Sequence, residues 1–180
     1  MKRYDSDKYP RQEWWPEIWP KQHDLRSAFQ KSVVWYYQEL AAAMESEQIR
    51  TRLEQWQYGN ARVAGGKTEY WLGRDLAISA HEQVIFLERF HKKRLGIRKG
   101  TTDLLKEVAF VEEKSGQRLY AKTGTGEQGD KWVGWYVGWT EGSSDGPQFF
   151  ALVCLEESFD AVRKKRAEVR EEVLGLIGFR

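Results

Sequence analysis

Cysteine is nearly absent: Cys154 is the single one, so no internal disulfide can form, and His23, His81 and His91 are too scattered to suggest a zinc cluster. No structural metal is expected. Net charge is also missing, because 29 basic side chains nearly balance 27 acidic ones. That balance excludes a broad field directed at nucleic acid or an anionic membrane. No apolar run approaches the length of a bilayer span, and the opening "KRYDSDKYPRQEWW" lacks the apolar core of a signal peptide. Its polar, proline-spaced and aromatic character resembles the middle of a domain more than its beginning. What is present suits one globular domain: 180 residues, 41% hydrophobic and 31% charged, with nine tryptophans.

Residues 1–24 hold three of the four prolines and three of the tryptophans, which predicts an irregular segment packed by its indoles. From Leu25 to Ala43 the apolar positions Leu25, Phe29, Val33, Tyr36 and Leu40 step by three and four, the stripe of one helix with Ser32 beside it. A second helix is expected from Glu47 to Gln57, followed by a glycine-rich loop that ends near Trp71. Ser79 and Glu82 form a capping box for a third helix ending near Gly96, and "TTDLLKEVAF" reads as a short fourth. The pattern then changes to strands over Gln117–Thr123, Lys131–Thr140 and Gln148–Leu155, an antiparallel meander. A helix from Asp160 to Leu174, with Val162, Val169 and Val173 on one side and Gly175 at its end, closes the chain. The expected fold is α+β: an irregular segment (1–24), a helical lobe (25–108), then the meander and its covering helix (109–180).

Taken singly, the motifs have ordinary explanations. Lys122-Thr123-Gly124 can be a strand entering a glycine turn, Tyr58-Gly59-Asn60 a tight turn, and Ser32-Val33-Val34 helix core. In chain order, Ser32-Val33-Val34, Tyr58-Gly59-Asn60, Trp71 and Lys122-Thr123-Gly124 together resemble the active-site motifs of the class D serine β-lactamases and the related penicillin-sensing receptor domains. The segments "LRSAFQKSVVWYYQELA", "YWLGRDLAISAHEQVIFLERF" and "WVGWYVGW" extend the resemblance over essentially the whole chain. It implies a β-lactamase/transpeptidase-like fold and a β-lactam or peptidoglycan-like small molecule as ligand. Lys122 is then the cleft cation that attracts the substrate carboxylate and assists proton transfer. Thr123 bonds the same carboxylate, Gly124 permits close approach, and the Thr125 N–H is an oxyanion-hole donor. The resemblance makes Ser32 a helix-borne hydroxyl that relays a proton to the lactam nitrogen, and Trp71 the indole that donates to a lysine carbamate. Arg163 falls where the family has an arginine whose fork binds the drug carboxylate. Val34, Tyr58, Gly59 and Asn60 complete the motifs as structural members. Among the aromatic residues of the Lys131–Thr140 strand, Trp135 and Trp139 share one face and Trp132 and Tyr136 the other, chiefly as core.

One family element is missing. Class D enzymes attack with the serine of a Ser-x-x-Lys motif, whose lysine, carbamylated by carbon dioxide, serves as base. No serine here has a lysine three positions on: Ser27 leads to Gln30, Ser32 to Trp35, Ser79 to Glu82 and Ser115 to Arg118. No other cofactor is implied. In the family that motif lies upstream of the segment resembling "KRYDSDKYP", together with a signal peptide and two sheet strands. The chain therefore reads as the C-terminal portion of the domain: a truncated reading frame, a fragment that needs a second chain, or a degenerate member that only binds. Ser32 is the serine best placed to substitute, but the lysine expected to act as its base is the missing one. The parent is expected in the periplasm or outside the cell. The strand Gln148–Leu155, which the absent strands cover in the family, is expected to lie open and promote self-association.

Overall fold

The computed structural model describes residues 1–72 and 75–179. Residues 1–24 contain no helix; their ends are tied by a bridge in which the Lys2 N–H donates to the His23 carbonyl at 2.7 Å and the His23 N–H returns the bond at 3.0 Å. The indoles anchor this segment as their number suggested. Trp15 and Trp19 are buried, while Trp14 remains 60% exposed. Trp19 Nε1 donates to the Lys31 carbonyl at 2.8 Å, and Trp35 Nε1 donates to the Trp19 carbonyl at 2.7 Å.

Helices α1 (Leu25–Lys31) and α2 (Val34–Ala42) replace the single helix expected over this region. Ser32 breaks it, standing at the end of α1 in the left-handed conformation with φ 54°. The Ser32 N–H donates to the Phe29 carbonyl at 3.2 Å and the Val33 N–H to the Ala28 carbonyl at 2.9 Å, so two orphan carbonyls of α1 are satisfied at the turn. Its hydroxyl is thus carried by a junction and not by a continuous helix. The apolar stripe is also only partly core: Val33 and Tyr36 are buried, but Leu25 and Leu40 are 36% and 37% exposed. Helix α3 (Ser46–Trp56) follows, then α4 (Ala80–His91), opened by the expected capping box of Ser79 and Glu82, and α5 (Lys99–Ala109).

The sheet has four antiparallel strands in the order β1 (Phe110–Lys114), β2 (Gln117–Gln128), β3 (Lys131–Glu141) and β4 (Gln148–Glu156), covered on one face by α6 (Phe159–Leu176). Strand β1 was not anticipated from sequence. Helix α6 runs through Gly175 and ends before Gly178, whose φ of +74° makes the stop that Gly175 was expected to make. In β3, Trp139 stacks on Tyr120 of β2 at 4.9 Å and meets Phe90 of α4 at 5.9 Å, while Trp132 packs edge-on against Phe159 of α6 at 5.2 Å. Each such pair adds about 0.5–1.5 kcal/mol beyond its burial. Gly134 and Gly138 lie on the α6 face; a Cβ on Gly134 would meet Val162 Cγ2 at 2.8 Å, and one on Gly138 the Tyr120 carbonyl oxygen at 2.1 Å. Gly134 therefore sets how closely α6 approaches the sheet, and Gly138 how closely β3 packs with its neighbouring strands.

Glu141, at the end of β3, closes the far side. Its Oε1 accepts from Trp139 Nε1 at 3.0 Å, from Lys106 Nζ of α5, and stands 3.0 Å from His91 Nε2 of α4. Burial opposes its charge, but these donors prevail and hold the carboxyl below its ordinary pKa.

The left-handed turn at Ser32 yields a direct test. Ser32→Gly and Ser32→Ala both delete the hydroxyl, but only glycine adopts positive φ without a Cβ penalty. Ser32→Gly is expected to be the more stable of the two by about 1 kcal/mol, read as a difference in urea midpoint at equal slope. Equal stability would show that the turn relaxes.

Candidate functional site

The site is built on the alternation of β2. Tyr120, Lys122 and Gly124 pair with Trp139, Val137 and Trp135 toward the helical lobe, whereas Ala121, Thr123 and Thr125 pair with Gly138, Tyr136 and Gly134 toward α6. Strand β1 pairs only as far as Tyr120, so from Lys122 onward β2 is flanked by β3 alone.

Lys122 extends from this strand to the junction of α1 and α2, where its Nζ hydrogen-bonds to Ser32 Oγ. The same Nζ donates to the Thr123 carbonyl at 2.8 Å and lies 5.8 Å from the centre of the Phe29 ring. Ser32 and Lys122 thus meet although 90 positions apart. Burial, assisted by the positive charge of Arg166, pushes the Lys122 pKa down to about 8.

Both residues line a cavity of about 860 Å³ between the helical lobe and β2–β3. Val34, Tyr37, Trp71 and Trp135 give its walls much apolar surface, and Arg52, Glu127 and Gln128 add polar groups besides Ser32 and Lys122. The volume falls within the range of small-molecule sites. Thr123 faces the other side of the strand, into a shallower groove of about 450 Å³ shared with Tyr136, Arg163 and Arg166.

Trp71 reaches the wall because the loop before it is clasped by Tyr58-Gly59-Asn60. Asn60 Nδ2 donates to the Asp75 carbonyl at 2.8 Å, and Asn60 Oδ1 accepts the Ala77 N–H at 3.0 Å. The Asn60 N–H in turn donates to the Ala77 carbonyl at 2.9 Å. Gly59 has φ +52°, and a Cβ there would sit 2.0 Å from the Ala77 oxygen. Only glycine fits that approach. Tyr58 donates to Gln83 Oε1 at 2.9 Å and sets its ring against Phe86 at 4.7 Å; its burial raises the phenol pKa to about 12.

The arginine that reaches the Lys-Thr-Gly strand is Arg166. Its Nη1 donates to the Gly124 carbonyl and to Thr125 Oγ1, each at 2.7 Å. Arg163 lies three residues earlier in α6, with its guanidinium 5.5 Å from the Phe159 ring; both arginines border the groove beside Thr123. Sequence reading missed Arg166, although a signal was present: Val162, Val169 and Val173 define the inward stripe, and position 166 falls on it. An arginine in an apolar stripe needs a partner, and β2 supplies it. Phe29, beneath the Lys122 amine, was also passed over because its spacing reads simply as core.

Among the described residues, neither Lys122 nor Arg166 is ion-paired with a carboxylate. The site therefore holds cationic charge for an anion to complete. Lys122 has its folded pKa near 8, below the ordinary lysine value of 10.5, so the unfolded chain binds more protons between these limits and stability rises with pH across them. The stability of the native chain minus that of Lys122→Met is expected to increase by on the order of 2 kcal/mol between pH 7.5 and 10.5. Paired urea titrations cancel the other groups, and a flat difference would show a solvated amine.

A sequence profile of the penicillin-binding protein transpeptidase domain matches residues 2–175. The chain is 39% identical over 122 residues to the probable β-lactamase YbxI of Bacillus subtilis, covering 68% of this chain and 45% of that protein. Its fold matches the class D β-lactamase of Sebaldella termitidis with a TM-score of 0.87 at 26% identity, over 99% of this chain and 71% of that one. The C-terminal domain of the Bacillus licheniformis BlaR penicillin-receptor gives a TM-score of 0.86 at 29% identity, with 99% and 70% covered. The chain spans about half the length of the curated relatives it matches. With its helical lobe and antiparallel sheet meeting at a lysine-bearing strand, the chain belongs to the penicillin-binding protein transpeptidase domain family, among relatives that include class D β-lactamases.

Proposed function

We propose that this domain recognises β-lactams or peptidoglycan-like acyl peptides through their carboxylate and an apolar side chain. The observation that carries this function is the pairing of a Lys122 without a carboxylate partner among the described residues with a half-buried Ser32 in a mainly apolar cavity. Thr125 lines the same cavity, Thr123 and Arg166 border the groove on the other face of the strand, and Gly124 allows close approach to it. Arg166, with two bonds already to β2, is the arginine we assign to the drug carboxylate in place of Arg163. Ser32 passes a proton toward the lactam nitrogen, Trp71 and Trp135 contact the apolar body of the ligand, and the Thr125 N–H serves the developing oxyanion.

In the whole protein the corresponding activity is ring opening through a serine acyl-enzyme, using a Ser-x-x-Lys pair that this sequence does not contain. The 180-residue chain by itself is expected to bind with little turnover. A sensor that binds without hydrolysis is the second reading, favoured by the likeness to the BlaR penicillin-receptor domain over 99% of the chain. Either role belongs in the periplasm or outside the cell, where such ligands are met. Among the described residues no helix is long and apolar enough to cross a membrane.

Titration of the chain with benzylpenicillin, followed by tryptophan fluorescence, tests recognition because Trp71 and Trp135 line the cavity. Arg166→Ala is expected to weaken binding by roughly 10- to 100-fold, the value of a charge-assisted bond. No saturable change with the native chain would remove the proposal. A separate expectation concerns β4, whose outer edge has no strand beside it among the described residues and whose Val153 and Leu155 are 40% and 50% exposed. The chain is expected to self-associate through that edge, and a monodisperse monomer in sedimentation would contradict it.

A further inference from the structure

We propose that Ser32 and Lys122 form a serine–lysine dyad in which the Ser32 hydroxyl is itself an acyl acceptor, so that this chain is acylated without a Ser-x-x-Lys motif. The proposal rests, for β-lactams, on the cavity admitting them as argued above. From sequence alone Ser32 lacked a base. The fold supplies one from a distant strand: Lys122 Nζ hydrogen-bonds to Ser32 Oγ, and its other contacts are the Thr123 carbonyl and the Phe29 ring. A lysine held by a hydroxyl and a carbonyl, with no carboxylate, can release its proton and become the acceptor of the same hydrogen bond. Its lowered pKa is consistent with that reversal.

Three further observations concern Ser32. Both groups of the dyad line the cavity, so an acyl carbon can reach the hydroxyl from inside it. Ser32 is one of five residues other than glycine held at positive φ among the described residues, in a turn whose hydroxyl meets Lys122. Helix α2 starts two residues later with no side chain capping its first turn, which leaves the positive end of that helix beside the hydroxyl.

The step balances without any co-reactant. Neutral Lys122 Nζ takes the Ser32 Oγ proton as Oγ bonds to the lactam carbonyl carbon. Collapse of the tetrahedral adduct breaks the carbon–nitrogen bond of the ring, and the Lys122 ammonium returns its proton to the leaving nitrogen. Ser32 is left as an ester carrying the whole drug. Release of that ester requires a separate step in which a water is activated, and the adduct accumulates where that step is slower than acylation.

The experiment incubates the full 180-residue chain separately with benzylpenicillin and with p-nitrophenyl acetate, a neutral acyl donor that needs no carboxylate recognition, and maps adducts by peptide mass spectrometry. The expected result is a single adduct on Ser32 from either reagent, absent in Ser32→Gly, a variant that keeps the left-handed turn. In Lys122→Met its rate should fall about 100-fold or more, the contribution of a general base. An adduct on Ser32 from the acetate alone, with no penicillin binding by fluorescence, supports the dyad and removes the β-lactam reading. Reversible penicillin binding with no Ser32 adduct from either reagent overturns the dyad and leaves recognition standing. An adduct mapped to Lys122, or one on Ser32 formed equally fast in Lys122→Met, also overturns it.

Discussion

The molecule depends on the continuous pairing of β2 with β3, because the register from Arg118 opposite Glu141 to Gln128 opposite Lys131 decides what each side chain of the Lys-Thr-Gly strand can touch. A slip of one residue would turn Lys122 toward α6 and Thr123 toward the cavity. The register is held by large groups on both faces. Trp139 stacks on Tyr120 beneath the helical lobe, and Tyr136 packs on Phe150 beneath α6. Gly134 and Gly138 occupy the intervening α6-face positions where a side chain would collide with Val162 or with the Tyr120 carbonyl. The dense aromatic segment of the sequence is therefore a registration device, and Trp135 alone among its tryptophans lines the cavity.

Against this sheet the helical lobe contributes one hydroxyl and one indole, and it holds each by backbone geometry. Ser32 is fixed by a left-handed turn whose preceding carbonyl, that of Lys31, is taken by the Trp19 indole. The irregular segment of residues 1–24, which contains no helix, thus helps to end α1 where the hydroxyl is needed. Trp71 depends on Asn60, whose side chain bonds to the backbone of Asp75 and Ala77 and draws the two ends of the intervening loop together. Both devices bind a side chain to backbone groups: the Lys31 carbonyl in one case, the Asp75 carbonyl and the Ala77 N–H in the other.

Much of this was legible in the sequence because local chemistry and tertiary structure agree. The capping box of Ser79 and Glu82 opens α4, and three strands follow their alternation and their Gly/Asp breaks. The residues expected to share a site also meet: Ser32, Lys122 and Trp71 border one cavity. What was not legible had a physical reason in each case. Ser32-Val33-Val34 contains neither glycine nor proline and the apolar period runs across it, so the break came from tertiary hydrogen bonds. Strand β1 is short and mostly exposed, without the alternation that marks its neighbours. Arg163 matches the family's arginine by position in the chain alone, whereas the valine stripe of α6 is what turns position 166 toward the sheet.

The two lysines that the sheet orders show how the fold separates structure from chemistry. Lys106 is matched to Glu141, whose carboxylate also accepts from Trp139 and faces His91, so its charge is neutralised within a network that ties α4, α5 and β3 together. Among the described residues Lys122 meets a hydroxyl, a carbonyl and a ring face, with Arg166 nearby as a second positive charge. A buried cation without a carboxylate costs stability, since its desolvation is not offset. That cost is tolerable where the rest of the sheet is firmly packed, and it leaves Lys122 able either to attract an anion or to exchange a proton with Ser32. A carboxylate placed beside Lys122 would stabilise the fold and remove both capacities.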